Sequence, residues 1–141
     1  MIIPCTPTII PTEKAMLSLG EKIANYYSNE TVIYLSGELG SGKTTLVRGF
    51  LRGLGYTGFV KSPSYTLLEI YRLLTIEIIH LDLYRLVEPK DYLNLGLTDY
   101  LKDNFILLIE WPEKSEKFLP SPTVWIKIDI KDKKRIVYFS A

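Results

Sequence analysis

The segment that most constrains this chain is a glycine-rich stretch at residues 37–44, which reads G-E-L-G-S-G-K-T and fits the pattern G-x-x-x-x-G-K-[S/T] in full. Directly before it, residues 31–35 (T-V-I-Y-L) predict a buried strand. Directly after it, apolar residues recur at helical spacing and predict one buried helix face: Leu46, Val47, Phe50, Leu51 and Leu54. A strand, a tight glycine loop and a helix in this order predict a phosphate-binding loop in an α/β fold.

The residue types in this loop suit the binding of a nucleoside triphosphate. Glycines allow successive backbone N–H groups to converge on one anion, and the N-terminus of the following helix adds partial positive charge. Lys43 is expected to reach the β- and γ-phosphates, the Thr44 hydroxyl to hold Mg²⁺, and Thr45 to donate to the α-phosphate. The predicted cofactors are therefore ATP or ADP and Mg²⁺. The predicted binding residues of the loop are Gly40, Ser41, Gly42, Lys43, Thr44 and Thr45.

The rest of the chain predicts a mixed sheet. The 141 residues contain no repeat and no Gly/Ser/Pro linker, so we expect a single domain over residues 1–141. Residues 12–27 predict an amphipathic helix with Thr12 as its N-cap, and residues 105–109 predict a strand that is covered on both faces. The remaining predicted elements are antiparallel hairpins over 65–71 with 75–81 and 124–130 with 135–139, and short helical segments at 91–95 and 98–101.

Two acidic residues follow predicted strands and are the candidate metal-associated carboxylates. Glu110 comes directly after the apolar run 105–109, and Asp82 comes after I-I-H-L at 78–81. A nucleotide-hydrolysing P-loop protein needs such a carboxylate beside its Mg²⁺ and a group that orients the attacking water. Together with Lys43, these two acids are the predicted catalytic residues. The sequence leaves open which acid orders the metal and which orients the water.

Other residues near these motifs have an ordinary interpretation beside a functional one. For His80 we favour a hydrogen-bonded strand residue over a catalytic one. Residues 61–65 (K-S-P-S-Y) are either a segment that senses the γ-phosphate or a proline turn into a strand. Arg48 and Arg52 are expected to lie on a solvated helix face rather than on a docking surface for RNA.

Composition excludes several classes of site. The net charge is +1, which argues against bulk electrostatic binding of nucleic acid. With one cysteine and one histidine, the chain forms no internal disulfide and no zinc site built on Cys or His. The N-terminal residues lack the features of a secretory signal, and no apolar run approaches membrane-spanning length. We therefore expect a cytoplasmic protein without membrane association.

The nature of the reaction is predicted from two further absences in the sequence. No [N/T]-K-x-D motif for reading guanine occurs, so adenine is the expected base. No arginine-rich lid or second substrate site is evident, which favours hydrolysis over transfer of the phosphoryl group to a metabolite. Two alternatives stay open: a small-molecule kinase, and a nucleotide-dependent binding module that does not hydrolyse.

The motifs taken together resemble those of the TsaE family, the bacterial ATPases of tRNA threonylcarbamoyladenosine biosynthesis. Besides the loop, the matching segments are residues 61–67 (K-S-P-S-Y-T-L), 80–85 (H-L-D-L-Y-R) and 109–113 (I-E-W-P-E). The resemblance runs from about Glu13 to Arg135. The chain departs from the family pattern at Ser64, where threonine is usual, and at Met16, where threonine is common.

The resemblance implies a P-loop ATPase with a mixed sheet and helices on both faces. It implies that Thr44 and Glu110 are metal-associated with Asp82 close by, and that Glu13 and Arg135 lie near the nucleotide. It also implies that the ATPase supports TsaD and TsaB, the partners that modify tRNA, rather than performing the transfer itself. Because no transition-state arginine is evident, Arg85 or a partner would supply one, and we expect slow hydrolysis by the isolated protein.

Overall fold

A computed structural model describes residues 7–27, 30–63, 66–101 and 103–141, which build one seven-stranded sheet with helices against it. The strands are β1 (Thr8–Ile10), β2 (Thr31–Gly37), β3 (Leu68–Arg72), β4 (Glu77–Asp82), β5 (Phe105–Glu110), β6 (Val124–Lys131) and β7 (Lys134–Ser140). The α-helices are α1 (Glu13–Tyr26) and α2 (Lys43–Gly53), and 3₁₀ helices lie at Pro89–Leu95, Leu97–Asp99, Pro112–Lys114 and Glu116–Phe118. Within these described ranges, no helix is long and apolar enough to cross a bilayer.

The sheet has the order β1-β7-β6-β2-β5-β4-β3. Its four central strands, β6, β2, β5 and β4, run parallel to one another. Antiparallel strands complete both edges, with β3 on β4 at one edge and β7 then β1 beyond β6 at the other. The predicted α/β class, with a parallel core and antiparallel hairpins, is therefore confirmed. Strand β1 was not predicted, because three residues are too few to show a period.

The first hairpin is shorter than predicted. Strand β3 begins at Leu68 because Leu67, directly before it, has a left-handed backbone (φ 66°) and donates its N–H to the carbonyl of Pro63 instead of to a neighbouring strand. Strand β4 begins at Glu77 rather than at residue 75, since the N–H of Leu73 bonds the carbonyl of Ile76 and closes the connection. The predicted start at Tyr65 lies outside the described residues. The second hairpin has its turn where the sequence placed it.

The two faces of the sheet carry different kinds of helix. Helices α1 and α2 pack on one face and contact each other at Gly20. A Cβ at this position would lie only 2.3 Å from the carbonyl oxygen of Leu46. A Cβ at Gly49 would lie 2.2 Å from the carbonyl oxygen of Leu17, so the helices approach this closely only because both positions are glycine. Apolar side chains from the 3₁₀ helices at Pro89–Leu95 and Leu97–Asp99 cover the other face. The predicted helices on both faces are confirmed.

The topology brings three segments to one edge of the sheet. Strand β2 is central and buried on both faces, with Ile33 facing the α-helices and Val32 facing the opposite side. Because β2, β5 and β4 are parallel, their carboxyl ends meet, and these ends are Gly37, Glu110 and Asp82. The glycine loop leaves the sheet at that edge, where α/β proteins commonly bind ligands.

Candidate functional site

The glycine loop enters α2 through Gly42, the N-cap of the helix. Its φ of +108° is in the left-handed region, and a Cβ at this position would lie 3.1 Å from Cε of Met16. Glycine offers no side-chain oxygen, so no side chain caps the first turn of α2. The N–H groups of a first helical turn have no intrahelical acceptor. They are therefore available to an anion, which the helix dipole also favours.

Lys43 is the first residue of α2, and its ammonium is held inside the loop. The Nζ atom donates to the carbonyl oxygens of Gly37 and Glu38, the latter at 3.0 Å, and lies 4.6 Å from the centroid of the Trp111 ring. Burial lowers the pKa of the Lys43 ammonium, while nearby negative charges raise it. In decreasing order of effect, these charges are Glu110, Asp82 and Glu113.

Asp82 and Glu110 are register partners at the ends of β4 and β5, and both are buried. Oδ1 of Asp82 accepts a hydrogen bond from the backbone N–H of Tyr84 at 3.0 Å. Oε2 of Glu110 lies 3.3 Å from Oγ1 of Thr44, whose hydroxyl donates. The structure therefore brings both predicted acids to the loop and places Glu110 in contact with its hydroxyl.

His80 is fully buried one strand away from Glu110. Its Nε2 atom lies 2.5 Å from Oε2 of Glu110. The sequence favoured a hydrogen-bonded strand residue at this position, and the structure contains one, but the sequence did not point to Glu110 as its partner. A signal for this contact was present in the sequence: His80 and Asp82 are two residues apart on one strand, so their side chains lie on the same face of the sheet. The register of that strand against β5 was needed to find the contact.

Two cavities flank the glycine loop. The first, here the carboxylate cavity, has a volume of about 230 Å³ and lies between the loop and the strand ends. It contains most of the predicted catalytic and phosphate-binding residues, and Trp111 forms part of its wall. Its lining residues are Leu39, Gly40, Ser41, Gly42, Lys43, Thr44, Thr45, Asp82, Glu110 and Trp111.

The second, here the hairpin cavity, has a volume of about 320 Å³ and lies between the loop, the start of α1 and the β6–β7 hairpin. Arg135 reaches across it, donating from Nε to the carbonyl of Ser41 at 3.1 Å and from Nη2 to that of Gly40 at 3.0 Å. Glu13 lines the same cavity, and its carboxylate lies 3.4 Å from the guanidinium of Arg48 in an exposed pair. The two cavities share Gly40, Ser41, Gly42 and Thr45 as lining residues and therefore adjoin at the loop.

The oxygen atoms around Thr44 fit a magnesium ion. Both hydrogen bonds of the Glu110 carboxylate go to Oε2, and Oε1 makes none to the residues that the structure describes. In that part of the chain, no group of three or more His, Cys, Asp or Glu residues could hold a metal by itself. Mg²⁺ typically binds through one or two carboxylates together with substrate phosphates and water. The Thr44 hydroxyl and the Glu110 carboxylate, which are in contact, match that pattern, and Asp82 provides a second carboxylate in the same cavity.

Comparison with known proteins identifies the family. A family model described as "Threonylcarbamoyl adenosine biosynthesis protein TsaE" matches residues 10–137. This chain belongs to the TsaE family. The tRNA threonylcarbamoyladenosine biosynthesis protein TsaE of Haemophilus influenzae is 44% identical over 131 residues, which cover 89% of this chain and 83% of that protein. The protein of the same name from Bacillus subtilis is 36% identical over 111 residues, covering 78% and 69%.

A solved structure has the same fold. The crystal structure of Bacillus subtilis YdiB matches with a TM-score of 0.80 and 26% identity, covering 100% of this chain and 88% of that one. The family model and the two relatives confirm the resemblance to TsaE proteins inferred from the sequence. Of the motifs behind it, 80–85 and 109–113 contribute Asp82, Glu110 and Trp111 to the carboxylate cavity, while Arg85 is exposed and lines neither cavity. In the motif at 61–67, Ser64 and Tyr65 lie outside the described residues.

Proposed function

We propose that this protein is a Mg²⁺-dependent ATPase that acts as an accessory in the biosynthesis of threonylcarbamoyladenosine in tRNA. The observation that carries the proposal is that Lys43, Thr44, Asp82 and Glu110 line one cavity beside the N-terminus of α2. A phosphate-binding loop, a metal-binding hydroxyl and two carboxylates are the parts that P-loop hydrolysis requires. Membership of the TsaE family supplies the biosynthetic context.

Lys43 is suited to bind a terminal phosphate without leaving its present position. An ammonium has three N–H donors, and the carbonyls of Gly37 and Glu38 accept two of them. The third donor is available for a phosphate oxygen in the carboxylate cavity. The first-turn amides of α2 and the hydroxyl of Thr45 would bind the preceding phosphates. Adenosine would then occupy the hairpin cavity beside Glu13 and Arg135.

The acids have separate roles in this proposal. Thr44 and Glu110, already in contact, would hold the metal, and Asp82 would hold the attacking water in line with the γ-phosphate. When bound, Mg²⁺ neutralises charge on the β- and γ-phosphates and on the transition state. Burial of both carboxylates strengthens their interaction with charge, because the local dielectric constant is low.

Hydrolysis by the isolated protein should be slow. In the part of the chain that the structure describes, no arginine lines the carboxylate cavity. An arginine that neutralises the transition state is worth about 10³–10⁵ in rate in other P-loop enzymes. We propose that a complex with TsaD and TsaB provides the missing stabilisation, and that any contact with tRNA arises through that complex.

The test is to measure phosphate release from ATP with Mg²⁺, with and without TsaD and TsaB. The proposal expects slow release alone and at least about a tenfold increase with the partners, both abolished by EDTA. Labelled γ-phosphate that appears on a metabolite instead of as free phosphate would indicate a kinase. Tight ATP binding with no turnover under any partner condition would indicate a binding module and would refute the enzymatic proposal.

A further inference from the structure

The strongest unassigned feature is the only histidine of the chain, His80. Its side chain is 0% exposed, on the face of β4 that packs toward α2, and its Nε2 atom lies 2.5 Å from Oε2 of Glu110. The other ring nitrogen, Nδ1, is buried and has no hydrogen-bond partner among the described residues. Burying an imidazole with one unpartnered nitrogen costs stability, which an apolar residue at this position would avoid.

The proposed function sets the direction of this contact. A metal-binding carboxylate only accepts hydrogen bonds, so in that role Oε2 of Glu110 accepts from the tautomer of His80 that carries hydrogen on Nε2. The second contact to that oxygen, from Thr44 Oγ1, is 3.3 Å long and therefore weak for a hydroxyl donor. His80 is thus the main restraint on the carboxylate of Glu110.

We propose that His80 is a positioning residue for the metal-binding carboxylate. By holding Oε2, it fixes the orientation of the Glu110 carboxylate and keeps Oε1 available to a cation in the carboxylate cavity. This inference rests on the proposed function, because it takes Glu110 to be a metal ligand. Substitution of a group that orients a metal ligand in this way typically lowers metal affinity or activity about 10–100-fold.

The first experiment compares substitutions at His80 in the full-length protein. The amide of His80→Gln reaches about as far as Nε2 and retains a donor, whereas His80→Leu removes it and His80→Asn is too short. We expect His80→Leu and His80→Asn to raise the Mg²⁺ concentration for half-maximal ATP hydrolysis about 10–100-fold, with His80→Gln restoring most of the loss. The affinity for ADP without Mg²⁺ should change less than about threefold, since the loop amides are untouched.

The matched control is Ile78→Val, a conservative change in the core on the same strand and the same face, without contact to Glu110. It should leave the Mg²⁺ dependence unchanged. If His80→Leu does not fold, the comparison of His80→Asn with His80→Gln remains. A wild-type Mg²⁺ dependence in His80→Leu or His80→Asn would overturn the inference. An equal increase of the Mg²⁺ requirement in His80→Asn and His80→Gln would overturn it as well.

A second experiment reads the hydrogen bond without any activity. Because the untagged chain has one histidine, a ¹⁵N-histidine-labelled sample gives a single imidazole spectrum that needs no assignment. We expect the tautomer with hydrogen on Nε2, and a shift of that signal in Glu110→Gln. A ring with hydrogen on Nδ1 and none on Nε2 could not donate to Glu110 and would overturn the inference. If the wild type hydrolyses no ATP, the proposed function fails, while this spectrum and Mn²⁺ binding to the ADP complex still decide the role of His80.

Discussion

The two cavities on either side of the glycine loop differ in how their polar side chains are held. In the carboxylate cavity, Lys43, Asp82 and Glu110 are each at most 5% exposed and act on one another. In the hairpin cavity, Glu13 is mostly exposed, and Arg135 is only half-buried where it bonds the loop. The charged groups of the carboxylate cavity are therefore buried and depend on one another. Those of the hairpin cavity are more exposed to solvent and do not form one coupled set.

This difference predicts how each side responds to substitution. Removing one member of a buried charged set leaves the others without a partner, which costs several kcal/mol in general. An exposed ion pair contributes about 0–1 kcal/mol. If chemistry is confined to the carboxylate cavity and recognition to the hairpin cavity, substitutions should change the rate on the first side and the affinity on the second.

Lys43→Ala should have the largest effect. It removes the cation expected on the terminal phosphate and leaves two buried acids facing that phosphate. We expect at least about a 10³-fold loss of ATP turnover, together with weaker ATP binding. Steady-state phosphate release measures the first and titration with a fluorescent nucleotide the second. Lys114→Ala is the control, since that exposed lysine lies over Tyr84 and outside both cavities. Full turnover in Lys43→Ala would rule out the assignment of the loop.

The two carboxylates should be separable by their dependence on metal. Glu110→Gln should raise the Mg²⁺ requirement and lower kcat about 10³-fold, because a metal ligand contributes several kcal/mol. Asp82→Asn should lower kcat about 10²-fold with the Mg²⁺ requirement unchanged, since it would act on the water. Mg²⁺ titrations of both variants at saturating ATP make the distinction. The reverse pattern would assign the metal to Asp82 and the water to Glu110, and the carboxylate cavity would still be the assigned site of hydrolysis.

Arg135→Gln should affect affinity rather than rate. The guanidinium bonds the carbonyls of Gly40 and Ser41, so its loss leaves the loop less well ordered for phosphate. We expect ADP to bind about tenfold more weakly, as for the loss of about 1.4 kcal/mol from charge-assisted hydrogen bonds. The matched control is Lys134→Gln, the neighbouring exposed residue on β7. A fall in kcat at saturating ATP that exceeds the change in affinity would contradict the division between the cavities.

Glu13→Gln should have the smallest effect. Its ion pair with Arg48 is exposed, so the free energy of unfolding should change by less than about 1 kcal/mol in denaturant titrations. Nucleotide affinity should change by about threefold or less if the carboxylate only borders the site. A tenfold change of nucleotide affinity measured by calorimetry would show instead that Glu13 contacts the nucleotide directly.

The sequence predicted the parts of this site that depend on local pattern. The loop, the strand before it and the helix after it are contiguous, so their spacing alone identified Lys43 and Thr44. Glu110 and Asp82 were found because each follows an apolar run, and the parallel sheet brings such ends together. The contact of His80 with Glu110 depends on the register between two strands that are 23 residues apart along the chain (from Asp82 to Phe105), and no local pattern encodes that register.

The hairpin cavity was the harder half to predict. Arg135 is 94 residues from Ser41 in the sequence, and only the pairing of β7 outside β6 carries it to the loop. Resemblance to a family indicated that Arg135 and Glu13 lie near the nucleotide, but gave no reason for it. In the structure Arg135 bonds the carbonyls of Gly40 and Ser41, so a place beside the nucleotide stays a prediction that would follow from its contact with the loop.

The most direct test is a crystal structure of the protein with Mg²⁺ and a non-hydrolysable ATP analogue. The result expected is a triphosphate along residues 40–45, a metal ion bound by Thr44 and Glu110 in the carboxylate cavity, and the base in the hairpin cavity. A nucleotide bound elsewhere, or a metal ion that contacts neither Thr44 nor Glu110, would contradict the assignment of chemistry to one side of the loop and recognition to the other.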